Sequence, residues 1–126
     1  MKAYLHKLIG TTALGLALLS QGVPAWAGLQ FRPEVDVSSN YARGSMAGAR
    51  YSADSTQYIG CNFYSPVVSC SATDKTGKNL YCKAYGLHWG TAIKSITDFS
   101  HVLFTVAPDG TTCSSLVVDN FSQHLK

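Results

Sequence analysis

The chain has 126 residues, 46% of them apolar and 13% charged, with a formal net charge of +3 at pH 7. That length suits a single domain. The basic residues Arg32, Arg43, Arg50, Lys75, Lys78, Lys83 and Lys94 are scattered among aspartates, so there is no concentrated basic field and no nucleic-acid partner is expected.

Residues 1–27 read as a cleavable signal peptide. Lys2 and Lys7 make a short basic start, and Leu8 to Leu19 is an apolar run shorter than the about 20 residues that a membrane-spanning helix needs. Ala25-Trp26-Ala27 has the small-x-small form that a signal peptidase accepts. The expected compartment is therefore the periplasm or the outside of the cell, with no membrane span after cleavage. Residues 28–47 lack a sustained period, and Pro33, Ser38-Ser39-Asn40 and Gly44 predict a flexible N-terminal arm. The expected compact domain covers residues 48–126.

Tyr51, Thr56, Tyr58 and Ile59 favour extended structure, predicting strands over 49–53 and 56–63 with a bend at Asp54-Ser55. Pro66 ends that segment. The run 67–74 (VVSCSATD) reads as a strand with Val68, Cys70 and Ala72 on one face. A turn follows at 74–78, where Asp74 accepts backbone hydrogen bonds and Gly77 supplies positive φ, and 79–83 returns as a short strand. Between Leu87 and Thr97 the period changes: Trp89, Ala92, Ile93 and Ile96 fall on one helical face, although Gly90 weakens the helix. The runs 101–106 and 113–121 are rich in β-branched and aromatic residues and flank Pro108-Asp109-Gly110, predicting a β-hairpin. The order predicts an α+β fold: a mostly antiparallel β-sheet with one short helix.

Cys61, Cys70, Cys82 and Cys113 are an even set in a short exported chain, which predicts a disulfide framework. The motive is size, since a domain of about 100 residues has a thin core and each bridge adds roughly 2–4 kcal/mol. No C-x-x-C pair is present, so a metal site is disfavoured. Four cysteines allow three pairings. The placement of turns favours Cys61–Cys70, which flank the hairpin connection 62–66, and leaves Cys82 with Cys113.

The runs 50–61 (RYSADSTQYIGC) and 109–118 (DGTTCSSLVV) resemble a family of small secreted proteins of uncharacterised function from Gram-negative bacteria. The resemblance covers residues 48–126. It implies that the four cysteines and the last hairpin belong to a family framework, and it brings no catalytic residues.

No stretch carries a catalytic or cofactor signature. The serines lie in no G-x-S-x-G or S-x-x-K arrangement, and no calcium loop is present. The aspartates fall at turns and strand ends. His88, His101 and His124 are candidates for acid–base chemistry, and a small nuclease-like hydrolase using them is one alternative. The aromatic residues are the more suggestive group. Tyr64, Tyr81 and Tyr85 lie near turns or cysteines, and exposed tyrosines mark binding surfaces because they offer large contact area at low entropy cost. The leading expectation is a non-enzymatic binding protein, without cofactor or metal, whose partner is a protein or a cell-surface glycan. A third reading is an inhibitor or immunity-type protein presenting loop 62–66 or 74–79.

Overall fold

A computed structural model describes residues 32–121. The expected signal peptide, the first residues of the expected arm and His124 lie outside the described residues. The elements in chain order are β1 (Asp36–Val37), β2 (Tyr41–Ser45), α1 (Met46–Arg50), β3 (Tyr58–Tyr64), β4 (Val67–Thr73), β5 (Asn79–Tyr85), α2 (His88–Lys94), β6 (His101–Val106) and β7 (Cys113–Asp119). The fold is α+β and mostly antiparallel. It has two short helices where the sequence predicts one, and the strands form two sheets, β1-β2-β6-β7 and β3-β4-β5.

Alternation explains most of the second sheet. In β4, Val68, Cys70 and Ala72 are fully buried, and the register sets Cys70 between Cys61 of β3 and Cys82 of β5. The opposite face carries the intervening residues in rows, Tyr58-Thr73-Asn79 at one end and Tyr64-Val67-Tyr85 at the other. In the first sheet, Val102, Phe104 and Val106 of β6 point inward. Both inward faces contribute to one core, which also takes Val35, Val37, Ala42 and Ile59.

Three expectations need correction. Residues 36–45 are not a flexible arm: β1 and β2 extend the sheet on β6, with Ala42 opposite Phe104 and Gly44 opposite Val102. Val35 covers Gly44 so closely that a Cβ there would lie 3.0 Å from the Val35 backbone. The compact unit therefore begins well before Gly48. No strand forms at 49–53: residues 49–50 end α1 and 51–53 are the C-cap and turn that follow it, and the N-cap Ser45 of α1 accepts a hydrogen bond from Gly48 N at 2.6 Å. A five-residue helix is too short to show a period, so the strand propensity of Tyr51 misleads.

The helix α2 packs between β3 and β7, with Trp89, Ile93 and Ile96 against the core. Gly90, a weak helix residue, is needed for packing: a Cβ there would sit 2.9 Å from the Phe63 ring.

The bend at residues 54–57 is held by Asp54, whose carboxylate accepts from Thr56 N, Gln57 N and the Gln57 side chain. The turn at 74–78 uses Asp74 in the same way, with Gly77 at φ 86°. No helix of the described residues is long and apolar enough to cross a membrane.

Candidate binding groove beside β5

The strand β5 is built by alternation: Cys82 and Ala84 point into the core, and Tyr81, Lys83 and Tyr85 point outward. Beyond Tyr85, Gly86 turns the chain at φ 134°, a conformation that favours glycine, and its amide donates to the Pro66 carbonyl at 2.9 Å. The imidazole of His88 lies against Gly86, where a Cβ would meet it at 2.7 Å. His88 and Trp89 stack loosely, with ring centroids 5.2 Å apart.

The other wall comes from the β6–β7 connection. Asp109 accepts hydrogen bonds from Thr111 N, Thr112 N and the Thr112 hydroxyl, and Gly110 takes φ 74°. The resulting turn is rigid and lies along β5: Thr111 O accepts from Lys83 N at 2.8 Å, and Lys83 and Thr112 form a parallel bridge. The Cys82–Cys113 disulfide fixes the same junction covalently, with Cα atoms 5.0 Å apart.

Between these walls is an open groove of about 860 Å³, lined by Tyr81, Lys83, Tyr85, His88, Trp89 and the 110–113 backbone. That volume lies within the range of about 300–1,000 Å³ typical of ligand clefts. Among the described residues Lys83 is the one Lys or Arg of the lining, its ammonium 5.7 Å from the Tyr81 ring centroid, and no described carboxylate lines the groove. A hydrogen bond with Ser69, helped by Lys83, holds the Tyr81 phenol below its ordinary pKa. A shallower depression of about 310 Å³ lies across the sheet on the other side of Tyr81, over Tyr58, Gly60, Asn62, Ser69 and Ser71. There the Tyr58 hydroxyl is fixed by Ser71 at 2.8 Å and by Asn79 Nδ2 at 2.9 Å.

Tyr64, Tyr81 and Tyr85 are 75%, 44% and 72% exposed. All three lie on the outward face of the β3-β4-β5 sheet, and the structure brings Tyr81 and Tyr85 into the groove. Tyr64 sits two strands away, across Val67 from Tyr85, and does not line the groove. Lys83, Trp89, Thr111 and Thr112 were not singled out as binding residues from the sequence. Lys83 was legible as the outward neighbour of two tyrosines. Trp89 was assigned to the core face of its helix, where it is only half-buried.

The two described histidines of the candidate set, His88 and His101, are not gathered. His88 lines the groove, whereas His101 is on β6, with Nδ1 3.9 Å from Asp119 Oδ2 at the end of β7. The expected loop 62–66 shrinks to Ser65-Pro66, because residues 62–64 continue β3, and residues 74–78 join β4 to β5; both are tight hairpin connections.

The Sγ atoms of Cys70, Cys82 and Cys113 lie within 4.8 Å of one another, a spacing that would suit a metal, but all four cysteines are in the bridges Cys61–Cys70 and Cys82–Cys113. No family model matches the chain, and neither do any curated protein or solved structure.

Proposed function

We propose that this protein works in the periplasm or outside the cell as a non-enzymatic binding protein, with the groove beside β5 as its ligand site. One observation carries the reading: three large aromatic side chains, Tyr81, Tyr85 and Trp89, face one open cleft together with the Lys83 ammonium, and no carboxylate of the described residues lines it. Rings of this kind contribute contact area with little loss of rotamer freedom, and their polar ends stay wet while the ligand covers their faces. The two disulfides fit an oxidising compartment.

The test is retention on insoluble envelope material prepared from the producing cells. Protein with both disulfides intact should be retained, and a Tyr81→Ala/Tyr85→Ala variant of unchanged melting temperature should wash through. Equal retention of the two proteins would refute the groove as the contact surface.

A further inference from the structure

We infer that the ligand is an acidic polysaccharide chain, laid across the outward face of the β3-β4-β5 sheet with Tyr81 between successive sugar units. This rests on the binding reading above and adds to it the ligand's class and path.

The path follows from Tyr81. Tyr81 lines both the groove of about 860 Å³ and the depression of about 310 Å³, so a chain longer than one unit that passes over Tyr81 meets both. The groups on the far side are Asn62, Ser69 and Ser71, which are neutral and directional hydrogen-bonding side chains. A pyranose ring presents an apolar C–H face and a rim of hydroxyls. The first matches the tyrosine and tryptophan rings, and the second matches the serine and asparagine side chains between them.

A peptide fits less well. An extended peptide gains most of its affinity by adding a strand to an open sheet edge. Along β5 that edge is already engaged, because Lys83 N donates to Thr111 O and residues 111–112 lie beside the strand. At the groove, what remains beside Lys83 is the face of the sheet.

Charge selects among sugars. Elsewhere Lys75 is paired with Glu34 at 2.9 Å and Arg43 with Asp36 at 3.2 Å. In the groove no carboxylate of the described residues lines the space around Lys83, and the nearby Asp109 is turned into its own turn. A carboxylate on the sugar would complete that arrangement through a charge-assisted hydrogen bond.

The experiment is a titration of the disulfide-bonded protein, followed by Trp89 fluorescence and by calorimetry, with hexameric oligogalacturonate, hexameric oligomannuronate, maltohexaose and hexaglutamate. At least one of the two uronate oligomers should bind more tightly than both controls. The Lys83→Gln variant should weaken that uronate by about tenfold, the weight of one charge-assisted contact, and leave maltohexaose unchanged. Lys75→Gln, away from the groove, should change neither. Equal binding of maltohexaose, insensitive to Lys83→Gln, would overturn the acidic assignment and leave the groove reading standing. Hexaglutamate binding as tightly as the uronates would overturn the sugar assignment. Binding of none of the four would overturn the inference, while the envelope-retention result decides separately on the groove.

Discussion

Cys82 and Cys113 join the two sheets at the point where β5 meets the start of β7, with Cα atoms 5.0 Å apart. The bridge closes a loop of 31 positions, whereas Cys61–Cys70 closes one of 9 between neighbouring strands. On loop-closure entropy the longer bridge contributes about 3.7 kcal/mol and the shorter about 2.6 kcal/mol. Each bridge must be removed as a pair, because a single substitution leaves a thiol beside the other disulfide. Denaturant unfolding should therefore show Cys82→Ala/Cys113→Ala to be less stable than Cys61→Ala/Cys70→Ala. It should also be the one that loses ligand binding, since its bridge holds both walls of the groove.

Gln57 fastens the segment before β1 to the body of the protein. Its Oε1 accepts from Val35 N at 2.7 Å, and its amide donates to Asp54. Gln57 is buried, so Gln57→Ala leaves the Val35 amide without its partner and should cost about 1–3 kcal/mol in denaturant unfolding. Hydrogen exchange at Val35 and Val37 should rise with it. Unchanged stability would mean that this segment is held in some other way.

Gly48 lies under the chain entering β1. A Cβ there would fall 2.6 Å from the Pro33 carbonyl oxygen and 2.6 Å from Ser45 Oγ, the N-cap acceptor. Backbone has to move to admit it, so Gly48→Ala should destabilise by about 1–3 kcal/mol despite alanine's better helix propensity. A gain in melting temperature would contradict this packing.

Acid should act through two turn aspartates. The Gln57 side chain first, and then the Thr56 amide, lower the Asp54 pKa from 3.8 to about 2. The Thr112 hydroxyl first, and then the Thr111 amide, do the same for Asp109, also to about 2. A carboxyl that is more acidic when folded favours the folded state above its unfolded pKa and loses that contribution as pH falls through its folded value. The melting temperature should therefore drop between pH 4 and pH 2. The drop should be smaller in Asp54→Asn/Asp109→Asn, as followed by circular dichroism. Parallel curves for the two proteins would contradict these shifts.

What was legible in the sequence was whatever alternation or turn chemistry expresses locally. Val68, Cys70 and Ala72 in β4 and Val102, Phe104 and Val106 in β6 are regular enough to be read at once, and Pro108-Asp109-Gly110 marks the hairpin between β6 and β7. The strand β2 was not legible, because its buried positions are Ala42, Gly44 and Ser45. These small residues carry no hydrophobic signal and are buried only because Val35 and β6 cover them. The helix α1 was hidden by its length. In the candidate site, Tyr81 and Tyr85 were within reach of a one-strand reading. The opposing wall was legible only in part: the placement of turns favours Cys82 with Cys113, but nothing local in the sequence shows that residues 110–112 then lie along β5.

The central claim is that ligand lies over the β5 face. Its most direct test replaces Tyr85 with the photocrosslinking residue p-benzoylphenylalanine, with a matched replacement of Tyr51, which is 60% exposed and lies outside the groove. After irradiation of the producing cells, position 85 should yield a covalent adduct with material of higher mass and position 51 should not. Adducts of equal yield from both positions, or none from position 85, would contradict the account.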